Sequence, residues 1–430
     1  MVKARISSMK LLKRYALLPE AKIGFAVGMA GFSQLAMIFI PGGKMELGSL
    51  ADLILWQSLS AGFGIFLTGV IGTLAFSVFL VGDNQPEDAK FPSMLVNIFA
   101  IVFFIGIALA ILCIFVFDAL FLFYSFSLFV SLFLYLFAAI QHSFYSARGQ
   151  WAPLSVQFAL DGALRFSAVI FVTWKFEGSV IALIAVSLLS QVVSAVLVSI
   201  WSPWWTGISK REIGILSFLK ELMPLISTTF GSLLLTTFPP VLLDLAGSPP
   251  LLVASVGILV VIARIPTTVL SPVVLPQVRQ VCKHYVDGDA QAGFRVFKQT
   301  NIKLAIVAIV TFALMWLSFT SSFQIQALDS FGKTLEGSGL VTTILLTIFA
   351  ILLVLESFAN SCVNGQGRFL ESGKTYLYSS IAWISLLIVT ISTITESLLS
   401  ALSALVFGVA LVLVQLINRL LPVNSNKSNQ

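Results

Sequence analysis

Residues 339–361 read GLVTTILLTIFAILLVLESFANS, a run long and apolar enough to cross a bilayer as one helix. Its only charged side chain is Glu356, near the far end. Eleven further runs of this kind lie between polar breaks, near 22–40, 53–80, 92–114, 118–139, 152–173, 179–201, 221–245, 252–278, 299–320, 374–393 and 398–419. The second and eighth are the longest. The break at Asp118, where two runs nearly join, is the least marked.

Composition agrees with twelve spans. Of 430 residues, 58% are hydrophobic and 10% are charged, and mean hydropathy is +1.00. A soluble domain carries about a quarter charged residues because its surface must be wetted. This chain has no such surface, so lipid solvates it. Lys3, Arg5, Lys10, Lys13 and Arg14 precede the first span, which is too long for the core of a signal peptide. It is expected to be a retained helix.

Orientation follows from the basic residues. With both termini in the cytoplasm, the external Lys and Arg residues are Lys44, Lys175 and Lys333. Arg165 and Arg264 lie in the membrane, and the remainder of the 25 fall inside. No loop is long: the largest run from about Ser321 to Ser338 outside, and near 202–220 and 279–298 inside. That leaves no room for a soluble catalytic domain.

The chain repeats. The fourth span ends in Ser143-Phe144-Tyr145-Ser146-Ala147-Arg148-Gly149-Gln150. The tenth ends in Ser357-Phe358-Ala359-Asn360, then Asn364-Gly365-Gln366-Gly367-Arg368. The first and seventh spans each follow a lysine (Lys22, Lys220) and end at a proline (Pro41, Pro240). Gly62, Gly64, Gly69 and Gly72 punctuate the second span, and Pro266, Pro272 and Pro276 the eighth. Paired interrupted segments in corresponding halves point to a transporter's binding region. Gly24 and Gly28 suit a close helix contact.

Ionisable groups at mid-bilayer are costly and therefore candidate functional residues. Arg165 and Arg264 each lie roughly 15–20 Å from the start of their spans, near the midplane. Asp161 and Arg165 are spaced i,i+4 and share a face, as a structural ion pair or as part of a substrate site. Arg264 has no acid on its own helix within reach, and either pairs with Asp161, Asp244 or Glu356 or meets substrate. Glu356, Asn360 and Asn364 form a polar stripe that either lines a cavity or joins helices. Asp244 lies near the outer end of its span, close to interfacial water. Trp201, Trp204 and Trp205 cluster at a boundary, as interfacial aromatics do.

Several chemistries have no residues here. His142 and His284 fall in separate cytoplasmic loops, so no histidine metal site is expected. Cys113, Cys282 and Cys362 are far apart and form no disulfide or metal pattern. Walker-type and GxSxG motifs are missing from the sequence.

The stretch from Asp244 through Gly247, Val256-Gly257 and Ala263-Arg264-Ile265 to Pro276 resembles spans seven and eight of bacterial O-antigen-type polysaccharide flippases. So does Ala147-Arg148-Gly149-Gln150 leading into a fifth span with an acid–arginine pair. These flippases belong to the multidrug/oligosaccharidyl-lipid/polysaccharide exporter superfamily. The resemblance implies an all-α polytopic protein with two six-helix lobes, 1–205 and 206–430, about a V-shaped cavity. It also implies flipping of an undecaprenyl-diphosphate-linked oligosaccharide across the bacterial inner membrane, and not an enzyme. Arg165, Arg264 and Asn360 would then bind substrate, with no cofactor, metal or nucleic acid. Proteins of glycan assembly and membrane lipids are the expected partners. The alternative is a cation-coupled multidrug extruder of the same superfamily, with Asp161, Asp244 or Glu356 taking a proton or sodium ion. A membrane-embedded glycan polymerase is a third class, disfavoured by the short external loops.

Overall fold

The computed structural model describes residues 19–42, 44–82, 121–147, 150–202, 215–320, 339–366, 368–393 and 398–421. The expected third span at 92–114, its neighbouring break at Asp118, Cys113, Arg148, Trp204, Trp205 and Lys333 lie outside them. The described chain is all helix: α1 Pro19–Phe39, α2 Leu47–Gly82, α3 Phe121–Ala147, α4 Trp151–Lys175, α5 Val180–Trp201 and α6 Ile215–Thr236. Then follow α7 Pro239–Leu245, α8 Pro250–Val286, α9 Ala290–Thr320, α10 Gly339–Gly365, α11 Phe369–Thr393 and α12 Leu398–Leu420. Among the described residues, eight helices are long and apolar enough to cross a membrane, or nine if α6 and α7 are one bent span. The protein is a polytopic all-α membrane protein.

The chain divides into two compact units, with the main division at Lys220 and Glu221, just inside α6. The expected 205/206 boundary falls in residues 203–214, outside the described residues. In the first unit α1 packs on α4 and α2 on α3. In the second, α10 lies between α8 and α12. Leu122, Trp174 and Ile200 stand exposed, as side chains facing lipid do.

Neutral polar contacts join the first unit's helices, as is usual where lipid removes the hydrophobic drive for helix association. Trp56 Nε1 donates to Ser127 Oγ at 2.9 Å, and one turn on, Ser60 and Ser131 share a hydrogen bond at 2.6 Å. Gln157 donates to Gln141, which donates to Ser199, so three helices are tied. The α1–α4 contact is made by Gly162: a Cβ there would sit 2.9 Å from Ala30 N and Met29 C. The expected close contact at Gly28 is not found, since a Cβ at that position meets nothing within 4 Å. The small residue that permits the approach is on the partner helix.

Three further expectations change. The glycines of α2 and the prolines of α8 do not break their helices, which run 36 and 37 residues. At 1.5 Å per residue each is roughly 55 Å long, well beyond the ~30 Å hydrocarbon core. The loop expected at 279–298 is helical: α8 runs to Val286, a turn with Gly288 at φ +82° follows, and α9 begins at Ala290. Asp289 Oδ1 caps α9 by accepting from Ala292 N at 2.9 Å, one of the donors a helix start leaves unmet. Finally, Pro240 does not end the seventh span. The chain bends by 74° between α6 and α7, because Pro239 and Pro240 supply no N–H to continue α6. Helix then resumes, with both prolines in its first turn.

At one end of the second unit, Arg368 pairs with Glu371, and Arg419 Nη1 lies 3.7 Å from the same carboxylate. The hydrogen bond from Arg368 holds the Glu371 carboxyl below its usual range. Tyr285 donates to the Leu420 carbonyl beside it.

Candidate functional site

Among the described residues, the first unit holds a buried ion pair and the second a buried carboxyl. On α4, Arg165 Nη2 reaches both oxygens of Asp161, at 2.7 Å and 3.0 Å. Ser190 of α5 donates to Asp161 Oδ1 at 2.9 Å, and Arg165 Nε donates to Ser190 Oγ at 3.5 Å. Arg165 is 2% exposed. The i,i+4 spacing thus forms the expected pair, and Ser190 extends it across α4 and α5. Arg165 is thus bound to an acid on its own helix.

In the second unit, Glu356 of α10 is 4% exposed, and its Oε1 has no hydrogen-bond partner among the described residues. One turn on, Asn360 Oδ1 accepts from Asn364 Nδ2 at 3.0 Å and from Ser372 Oγ of α11 at 2.7 Å. The amides of the stripe therefore join helices, while its carboxyl does not. Leaving an ionised carboxylate unpaired in a low-dielectric interior is expensive, so such a group takes up a proton or a cation.

Ser372, which bonds Asn360, belongs to a polar face of α11 that sequence reasoning missed. Ser372, Thr375, Tyr376, Ser379, Ser380 and Trp383 are all buried on one side of α11. Thr375 Oγ1, Tyr376 OH, Ser379 Oγ and Trp383 Nε1 have no partner among the described residues. Tyr376 is packed on Gly231 of α6 and Trp383 on Gly408 of α12. The signal was present as i, i+3, i+4, i+7, i+8, i+11 spacing within span eleven. None of these side chains is charged, so a search for intramembrane charge passes over them.

Arg264 lies in the interior of α8, half-buried, and its Nη1 donates to Thr237 Oγ1 at 3.1 Å. Thr237 is the first residue of the α6–α7 bend, so the arginine is fixed to the hinge of that broken span. Asp244 is half-buried on α7, near its end. Below Arg264, a cavity of about 150 Å³ separates α8 from α10 and is lined by Thr267, Leu270, Val274, Val278, Val354, Ser357 and Ser361. It is large enough to hold several waters.

His142 and His284 lie on α3 and α8 and not in loops. Cys282 and Cys362, distant in sequence, meet across α8 and α10, where Cys282 Sγ lies 3.6 Å from the Cys362 carbonyl oxygen; both are free thiols. Among the described residues no three His, Cys, Asp or Glu side chains gather as a metal site.

The helical arrangement is that of MATE transporters. The chain superposes on the inward-facing conformation of a multidrug resistance MATE family transporter of the MOP superfamily with a TM-score of 0.68, at 13% identity, covering 95% of this chain and 99% of that one. The eukaryotic MATE transporter AtDTX14 gives 0.62 at 16% identity, covering 97% and 96%. A point mutant of the Vibrio cholerae MATE transporter VcmN gives 0.60 at 14% identity, covering 96% and 98%. No protein-family model and no curated protein matches the sequence. What this chain shares with these transporters is the fold, over nearly its whole length.

Proposed function

We propose that this chain is a cation-coupled exporter that moves amphipathic organic cations across the membrane by alternating access. The observation that carries the reading is Glu356, a buried carboxyl on α10 whose Oε1 has no partner among the described residues. A proton, a sodium ion or a cationic cargo each neutralises that carboxyl, and exchange among them couples one movement to the other. The MATE-type fold and the multidrug transporters that share it support the same reading. Reconstituted protein should extrude a cationic dye when a proton or sodium gradient is imposed. Glu356→Gln should abolish the gradient dependence while dye binding persists. Gradient-driven extrusion by Glu356→Gln at the wild-type rate sinks the assignment.

A second reading rests on Arg264, a half-buried guanidinium deep in α8. It is the flipping of an undecaprenyl-diphosphate-linked oligosaccharide, with the arginine fork meeting phosphate oxygens. Its place would be the inner membrane, beside other proteins of glycan assembly. Arg165 is already engaged by Asp161, which weakens any part for it in holding the diphosphate. Loss of the protein should then halt a surface glycan and leave its lipid-linked precursor on the cytoplasmic side. Normal glycan together with raised dye sensitivity favours the exporter.

A further inference from the structure

The outward face of α9 carries a feature that neither reading uses. Packing fixes which face this is. Phe297, Thr300, Leu304, Ala308 and Phe312 are buried, with Phe297 stacked on Phe358 of α10 at 5.4 Å and Thr300 hydrogen-bonded to Gln277 of α8. The opposite face begins with exposed Arg295, Lys298 and Lys303. It continues as exposed Ile302, Ile306, Val307, Ile309 and Val310. The helix contains no Asp or Glu, and none of the three cations forms an ion pair among the described residues.

From Arg295 to Lys303 is roughly 12 Å along the axis, and the aliphatic strip extends about 10 Å further. The basic stretch exceeds the headgroup layer of one leaflet, about 5–8 Å, by an amount that long flexible side chains span, and the aliphatic strip reaches the upper part of the acyl chains. We propose that this face of α9 is a binding surface for anionic phospholipid. The three cations hold the phosphate, and the isoleucine–valine strip carries the chains. Long basic side chains near a helix end reach the interface in this way, and anionic lipid is drawn to clustered cations there. Charge argues against a second copy of the chain, because a two-fold contact on this face brings like charges together. A free phosphate has no use for the aliphatic strip.

The test uses the full-length protein in nanodiscs of phosphatidylcholine and phosphatidylglycerol at 3:1. Lipid retained after transfer to mild detergent is counted by native mass spectrometry. Wild type should retain phosphatidylglycerol over phosphatidylcholine. Changing Arg295, Lys298 and Lys303 together to Gln should reduce that retention by about tenfold or more. Arg295→Lys, Lys298→Arg and Lys303→Arg together should preserve it. Lys44→Gln, Lys175→Gln and Lys374→Gln together, an equal loss of charge elsewhere, should also preserve it. Undiminished retention in the first variant overturns the proposal, as does equal loss in the third, which would mean bulk charge alone. Displacement of the lipid by inorganic phosphate, or a dimer mass that vanishes with the three cations, also overturns it.

Discussion

Arg165 and Asp161 stand one turn apart on α4, bridged at 2.7 Å, with Ser190 of α5 bound to both. A buried pair of this kind adds little net stability, but removing one member strands a charge, at about 3–5 kcal/mol. Arg165→Met and Asp161→Asn alone should therefore lower abundance and the thermal midpoint. The double change Asp161→Leu, Arg165→Met should recover most of the loss, since apolar replacements of buried pairs are often tolerated. Dye export in the double variant then assigns the pair. Retained export makes it structural, and lost export at normal abundance gives it a part in transport.

Gly162 predicts a local steric effect. A Cβ there meets backbone atoms of α1 at 2.9 Å, and a helix backbone cannot rotate aside as a side chain does. Gly162→Ala should separate α1 from α4 and cost about 1–3 kcal/mol. Gly28→Ala, with open space, should stay within about 0.5 kcal/mol of wild type. Thermal unfolding in detergent compares them, and equal midpoints would contradict the packing.

The sidedness of the ends is tested by single cysteines in a background lacking Cys113, Cys282 and Cys362. Lys44 Nζ lies 3.5 Å from the Thr173 carbonyl oxygen, two residues before Lys175, so positions 44 and 175 share an end of the first unit. Arg368 Nη1 donates to the Arg419 carbonyl oxygen at 2.7 Å, so positions 368 and 419 share an end of the second. The charge bias puts the first pair outside and the second inside. Cysteines at 44 and 175 should react with an impermeant thiol reagent on intact cells, and those at 368 and 419 only after permeabilisation. External labelling at 368 or 419 would refute the orientation.

The described spans were legible because a bilayer sets helix length and punishes charge, and both leave plain marks in a sequence. What went unread has physical reasons. Arg295 and Lys298 look like loop residues in a hydropathy reading, yet the helix has an inner face of Phe297, Thr300 and Leu304 that fixes it. Pro266, Pro272 and Pro276 suggest interruption, but α8 is helical throughout, whereas Pro239 and Pro240 mark a true bend. In the site, Asp161 and Arg165 were readable since one helix sets their spacing. The hydrogen bond from Arg264 to Thr237 crosses 27 residues and two helices, and no local pattern encodes it. The same holds for Ser372 and Asn360.

That bond makes Arg264 the most informative position to change. Its Nη1 holds Thr237 at 3.1 Å, at the bend where α6 gives way to α7, so it is placed to brace a hinge. It also sits deep in α8, where a diphosphate headgroup would need a cation. The two roles separate by which partner is removed. Thr237→Val keeps the shape of the side chain and deletes the acceptor, for a loss of about 1.5–3 kcal/mol if the charged hydrogen bond braces the bend. As a brace, Thr237→Val and Arg264→Ala should lower the thermal midpoint together and impair dye export alike. As a phosphate ligand, Arg264→Ala should abolish retention of a lipid-linked diphosphate at normal abundance, while Thr237→Val leaves it near wild type. Arg264→Lys refines the second case: lysine keeps the charge but loses the planar fork, so it should restore retention only in part. Full retention by Arg264→Ala removes the diphosphate role. An unchanged midpoint and export rate in Thr237→Val removes the brace.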